Sequence, residues 1–220
     1  DLFGMGLATD WALLSNPSDS SNLRNKIIYD FADKIGLHGS PDSRFVNLYI
    51  DDVYYGLYLL TEKVEIHQNR VDITDLYEET KAMNNAPLYT YPIVETYTDG
   101  VYKKGYSVPV IPDDITGGYL LELQLYDYRN TFTSAFTTKD QICFSFKSSP
   151  YVSWEQIEYI SKYIQQVEDS LHDGSYAEYI DVDSWAKYYL IQEVFGNMDT
   201  RSFFYYKDRD SIDNKLYAGP

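Results

Sequence analysis

Apolar side chains recur at helical spacing in three segments of the chain. In residues 22–36 they repeat every four positions, and the final glycine suits the left-handed backbone that often follows a helix. The second segment opens with Ser153 and Gln156, which have the spacing of a capping box. The third begins at Asp183, which we expect to cap it, and ends at Gly196. Because this last segment is apolar nearly all round, it predicts a buried helix.

Alternating apolar and polar positions predict the strands. Residues 44–50 alternate, the acidic pair at 51–52 turns the chain, and residues 54–64 follow as an apolar run, which together predict a β-hairpin. Residues 119–126 and 141–147 are two further apolar runs. We expect these two to pair as antiparallel strands of a central sheet.

The remaining segments complete the predicted architecture. Residues 203–207 and 215–217 predict a closing hairpin, with a turn rich in aspartate between them. Residues 75–116 contain four prolines and no sustained period, and we interpret them as a long irregular insert or lid. The order of helix, hairpin, insert, strands, two helices and hairpin predicts an α+β fold in a single domain over residues 1–220.

Composition excludes several classes of function. The chain has 220 residues with 34 acidic and 18 basic side chains, a net charge of −16 that repels a nucleic-acid backbone. The single cysteine, Cys143, makes no internal disulfide, and the three histidines lie too far apart for a sequence-local zinc site. Apolar runs are only a few residues long, so we expect no membrane insertion by this chain.

Tyrosine is the one residue type in clear excess, with 24 in the chain. Tyrosines that pack in the core with their hydroxyls at the rim would explain this number. Stacking surfaces for a ligand would explain it as well, so the composition leaves both interpretations open.

The pair Asn197 and Asp199 is the first candidate for chemistry. An amide and a carboxylate two residues apart on a loop both offer oxygen ligands to a hard cation such as Mg²⁺. These residue types also favour turns after helices because they bond to their own backbone, and the sequence does not separate the two interpretations.

Four charged residues near strand ends are further candidates. Glu62 and Lys63 are adjacent, so only one of them faces a given pocket; a solvated charge pair is the alternative. Glu122 interrupts an apolar run and needs a partner, and Lys147 at the end of the neighbouring strand is one such partner. A structural salt bridge explains this second pair as well as a phosphate-binding lysine does. The Walker, dinucleotide-binding and nucleophile-elbow motifs are absent from the sequence.

Six segments follow one another in the order of a known set of motifs. They read SNLRNKIIYD at 21–30, YGLYLLTEKV at 55–64, NRVDI at 69–73, GGYLLEL at 117–123, NMD at 197–199 followed by YKD at 206–208, and KLYAGP at 215–220. This order resembles the CotH family of spore-coat-type atypical protein kinases. The similarity runs over residues 4–220 and is weakest in the middle insert.

The resemblance implies a divergent protein-kinase-like fold that binds ATP with Mg²⁺ and transfers the γ-phosphate to serine or threonine of a protein substrate. Asp199 would be the metal-binding and catalytic aspartate, with Asn197 beside it in the same motif. Glu62 and Glu122 occupy the glutamate positions of their motifs. Lys63 and Lys147 are the candidates for phosphate contact.

The family pattern also differs from this chain at its ends. It continues past residue 220 with a tryptophan-aspartate segment that supplies a second metal-binding aspartate, so we expect a fragment that is incomplete at both ends. The resemblance implies an extracellular or cell-surface location in a bacterium, with the spore coat as the alternative. A non-catalytic surface interaction module and a carbohydrate-binding or carbohydrate-cleaving protein are the competing functions.

Overall fold

Two antiparallel sheets and four helices form the computed structural model, which describes residues 1–8, 10–124, 131–147, 150–197 and 203–220. The helices are α1 (Arg24–Lys34), α2 (Leu76–Ala82), α3 (Trp154–Asp173) and α4 (Val182–Phe195). The strands are β1 (Trp11–Leu14), β2 (Ser43–Ile50), β3 (Val53–Glu62), β4 (Ile93–Thr98), β5 (Val101–Tyr106), β6 (Tyr119–Gln124), β7 (Ala135–Thr137), β8 (Cys143–Phe146), β9 (Phe203–Lys207) and β10 (Tyr217–Ala218). Two short 3-10 turns cover Leu88–Thr90 and Tyr176–Glu178. The α+β class expected from the sequence is confirmed.

The smaller sheet has the strand order β1-β3-β2. Its β2–β3 hairpin confirms the prediction from residues 44–64. Asp51 and Asp52 form the turn with φ angles of 49° and 62°. Both angles lie in the left-handed region that a two-residue hairpin turn of the type I′ class requires, and aspartate tolerates it better than most residues.

The larger sheet has the order β10-β9-β6-β8-β7-β5-β4. The antiparallel pairing of β6 with β8 and the β9–β10 hairpin are both confirmed. Residues 75–116 differ from the irregular insert that we expected, because they contain α2 and the β4–β5 hairpin at one edge of this sheet. The role of this segment as a lid and the division of the chain into a single domain stay predictions.

The main core lies between the larger sheet and α3. On β6, Tyr119 and Leu121 point into this core together with Ile157 and Ile160 of α3. Burial of each such aliphatic side chain stabilises the fold by roughly 1.5–3 kcal/mol. The buried Cys143 lies on β8 in the middle of the sheet.

The opposite face of the larger sheet meets the chain that follows the smaller sheet. Leu120 of β6 and Tyr206 of β9 pack there against Val71, which comes from the segment after β3. Alternate residues of β6 therefore serve two different layers. Glu122 belongs to this second face because it lies two residues beyond Leu120.

The helix ends show which predictions from local sequence hold. Gly36 has a φ of 71° just after α1, and α3 begins with the complete capping box of Ser153 and Gln156, as predicted. The expected cap of α4 at Asp183 was wrong, because the Asp181 carboxylate accepts the Ser184 N–H and the helix begins at residue 182.

The expectation that α4 is buried was also wrong. Its buried residues are Ser184 and Ile191, whereas Tyr189 is 65 % exposed and Val194 is 56 % exposed. The helix packs against α1 and β10, which cover only part of its circumference. Among the helices in the described part of the chain, none has the length and apolar character needed to cross a bilayer.

Candidate functional site

Three strands bring together one glutamate, one lysine and one aromatic ring on the second face of the larger sheet. Glu122 of β6 lies opposite Phe204 of β9 in the strand register. Lys147 directly follows β8, and its backbone N–H donates to the Leu120 carbonyl at 3.0 Å. The Lys147 Nζ lies 4.0 Å from the Glu122 Oε2 and 5.0 Å from the Phe204 ring centroid.

The ion pair between Lys147 and Glu122 is loose. Its 4.0 Å separation is at the limit for an ion pair, and the two side chains are 31 % and 19 % exposed. A partly solvated pair of this kind contributes about 1 kcal/mol or less. Lys147 therefore has an ammonium group that keeps most of its capacity to bind an anion, over an apolar ring that shields it on one side.

Glu62 is buried and Lys63 is exposed, as the alternation of side chains along a strand predicts. Glu62 at the end of β3 is 8 % exposed, and its Oε2 accepts the Asp42 N–H at 2.9 Å. Burial raises the pKa of the Glu62 carboxyl, and the Asp42 N–H and the Arg70 guanidinium oppose this shift. Lys63 is exposed, and its ammonium forms no ion pair with another described residue. For Glu62, the alternative of a solvated charge pair was wrong.

Arg70 has a structural importance that reasoning from the sequence missed. It is 6 % exposed, and its Nη1 donates to the carbonyls of Asp10 and Lys63 and to the Glu65 carboxylate at 2.9–3.0 Å. Its Nε lies 3.8 Å from a Glu62 oxygen, too long for a hydrogen bond. Through these contacts Arg70 stabilises the segment after β3. The one signal for it in the sequence was its place in the NRVDI motif.

Arg70 does not fit a phosphate group. Its Nε and Nη2 are buried without hydrogen-bond partners among the described residues. They lie in a cluster that already holds the carboxylates of Glu62 and Glu65, which would repel a phosphate. Lys147 is therefore better suited to an anionic ligand than Arg70.

Asn197 lies just past the end of α4. Its backbone N–H donates to the Gln192 carbonyl at 3.0 Å, and its side-chain amide donates to the Gln192 Oε1 at 2.6 Å. These bonds, with Gly196 at a φ of 56°, close the helix and agree with the turn interpretation of this motif. Asp199 lies outside the described residues. The metal-binding role of the Asn197–Asp199 pair stays a prediction.

No group of three or more metal-ligating side chains occurs among the residues that the structure describes. Glu122 offers a single carboxylate. On the far side of its neighbour Phe204, β10 is followed by Gly219, whose N–H donates to the Phe204 carbonyl at 3.0 Å. Strands β6, β8 and β9 thus bring one lysine and one carboxylate to the same face of the sheet.

The comparisons with known proteins agree with the order of the sequence motifs. A family model described as CotH kinase protein matches residues 1–220, the full length of the chain. No curated protein matches it. A match over the full length, with the motifs in order on the strands and helix ends described above, confirms the resemblance, and the chain belongs to the CotH kinase protein family.

Proposed function

We propose that the chain is a protein kinase that uses ATP with Mg²⁺ to phosphorylate serine or threonine hydroxyls of other proteins. Membership of the CotH kinase family supports a kinase-like function, and we infer that the α+β arrangement is a divergent protein-kinase-like fold. The observation that carries the proposal is the loose Lys147–Glu122 pair on the Phe204 ring. Phosphoryl transfer depends mainly on positive groups that neutralise phosphate charge, which is what this lysine supplies.

The described residues suit parts of an ATP–Mg²⁺ complex. Lys147 would contact a phosphate, since its carboxylate partner is distant and partly solvated. Glu122 would offer oxygen to the metal, with Asp199 as the aspartate of the NMD motif completing the hard-ligand set. Bound Mg²⁺ neutralises phosphate charge during the transfer. Asn197 would hold the NMD segment in place by ending α4.

The substrate and the location belong to the same proposal. We place the protein outside the cell or on its surface, with the spore coat as the alternative. A net charge of −16 favours neutral or basic regions of the substrate protein over acidic ones.

Calorimetric titration of ATP with and without Mg²⁺ tests this function on the full-length protein. We expect binding that requires Mg²⁺ and that Lys147→Ala weakens by at least 10-fold, since a charge-assisted contact contributes about 1.5–3 kcal/mol. Lys139→Ala is the matched control, because Lys139 is 65 % exposed on a different surface. An unchanged affinity in Lys147→Ala, with loss in Lys63→Ala, would instead assign the phosphate contact to Lys63.

A non-catalytic surface interaction module is the second candidate function. The β2–β3 hairpin favours it, because it exposes large apolar side chains at its tip. These side chains are Tyr49, Ile50, Val53, Tyr54 and Tyr55. Absence of nucleotide binding in the folded full-length protein would favour this candidate over the kinase.

A further inference from the structure

A groove of about 320 Å³ lies between α3, the turn Tyr176–Glu178 and the segment that joins β9 to β10. It is on the other face of the larger sheet from the candidate kinase site. Lys207 of β9, which contacts groove residues, lies opposite Tyr119 in the main core, whereas Phe204 lies opposite Glu122 on the second face. An inference about this groove is therefore independent of the proposed kinase activity.

The inner side of the groove is aromatic and its charges are already paired. Lys207 is fully buried, and its Nζ lies 4.8 Å from the Tyr163 ring centroid and 6.0 Å from that of Tyr159. The same ammonium bonds to the Asp210 carboxylate and donates to the Thr116 carbonyl at 2.7 Å. The Asp210 charge that faces the groove is thus neutralised by Lys207.

Four polar side chains at the rim have no partner among the described residues. They are Lys162, Gln166, Glu178 and Asn214, and all four are exposed. One ammonium and one carboxylate cancel in charge, and the two amides each offer both a donor and an acceptor. The rim therefore has no net charge that would favour a charged ligand, whereas the hydroxyl groups of a neutral ligand can bond to all four side chains.

We propose that this groove binds a neutral oligosaccharide. The half-buried rings of Tyr159 and Tyr179 supply apolar contact for sugar rings, and the amides and the carboxylate around them supply hydrogen bonds for the sugar hydroxyls. The volume of about 320 Å³ is at the lower end of small-molecule sites, which span roughly 300–1,000 Å³, and suits a short oligosaccharide.

Calorimetric titration with the hexamers of β-1,4-linked glucose, xylose and N-acetylglucosamine tests the proposal on the full-length protein. We expect at least one of them to bind with a dissociation constant of about 1 mM or lower. Gln166→Ala and Glu178→Ala each remove exposed rim groups that hold nothing else in the fold, and each should weaken that binding by about 10-fold. Gln68→Ala and Glu155→Ala are matched controls, because these two residues are exposed elsewhere.

Three results would overturn the proposal. The first is the absence of binding by all three hexamers at a concentration of 10 times the expected dissociation constant. The second is binding that either rim variant leaves unchanged. The third is tighter binding of a nine-residue oligolysine peptide that Glu178→Ala abolishes and Gln166→Ala leaves intact. That last pattern would identify the groove as a site for a cationic peptide.

Discussion

The Lys207 ammonium lies 4.8 Å from the centroid of the Tyr163 ring, and this lysine has no solvent-exposed surface. Since its Nζ donates to two backbone carbonyls and bonds to Asp210, it joins the end of β9 to the segment before β6. A buried ammonium is tolerated only with such a full set of acceptors.

Replacement of this ammonium should destabilise the fold. Lys207→Met leaves the Thr116 carbonyl and the Asp210 carboxylate without their donor, and we expect the free energy of unfolding to fall by about 2–3 kcal/mol. Urea denaturation followed by circular dichroism measures the change. Lys139→Met, at a site that is 65 % exposed, should shift it by less than about 0.5 kcal/mol. Equal effects of the two variants would contradict this role of Lys207.

Replacement of Arg70 should lower the free energy of unfolding more than replacement of Lys207 does. Arg70→Met leaves Glu62 and Glu65 without their cation and two carbonyls without a donor, at an expected cost of about 3–5 kcal/mol. Arg44→Met is the matched control, because Arg44 is exposed on β2. The comparison is made by thermal and urea unfolding of both variants. A loss of unfolding free energy below about 1 kcal/mol in Arg70→Met would show that the contacts of Arg70 contribute little to stability.

Glu62 should leave a signature in the pH dependence of stability. Because burial raises its pKa in the folded state, the folded protein binds this proton more tightly than the unfolded chain does. The group therefore stabilises the fold at low pH, and this contribution is lost as pH rises through the folded-state pKa. We expect the stability of Glu62→Gln relative to the wild type to increase as pH rises above about 4.3, the ordinary pKa of glutamate. A difference that stays constant above this pH would contradict the shift.

Two glycines with nearly the same backbone angle allow a controlled test of crowding. Gly118 has a φ of 89° and Gly174 a φ of 87°. A Cβ at position 118 would lie 2.7 Å from the Leu76 Cβ and the Thr74 carbonyl oxygen, whereas position 174 has open space. We expect Gly174→Ala to cost about 1 kcal/mol from backbone strain and Gly118→Ala to cost at least about 2 kcal/mol more. Unfolding free energies of the two variants measure the difference, and equal values would contradict it.

Asp199→Ala tests the proposed chemistry. We expect it to abolish phosphoryl transfer to serine or threonine while the protein remains folded. Phosphate incorporation from labelled ATP is the measurement, with Asp183→Ala as an exposed aspartate control. Full activity in Asp199→Ala would remove this residue from the mechanism.

Local pattern predicted the elements whose ends are set by neighbouring residues. The capping box of Ser153 and Gln156 and the aspartate turn of β2–β3 are decided within a few positions of the chain. Strands β4 and β5 were not predicted. Their hairpin forms one edge of the sheet and carries polar residues such as Glu95 and Lys103, so the apolar pattern typical of a strand is weak there.

Burial was harder to predict, because it depends on what the rest of the chain provides. The apolar composition of α4 suggested a buried helix, yet its packing partners cover only part of its surface. Arg70 and Lys207 are buried charges whose acceptors lie up to 60 and 91 residues away in sequence. The Glu122–Lys147 pair was predictable because their strands are neighbours.

The burial of Cys143 supplies a natural reporter of sheet opening. It is the only cysteine in the chain, and it is 2 % exposed on β8. A thiol reagent reaches it only when the larger sheet separates from its surroundings, so the rate of thiol modification measures the frequency of that opening. A ligand that binds the folded protein should lower this rate. Recording the rate with and without ATP or oligosaccharide therefore compares how strongly each ligand stabilises the larger sheet against opening.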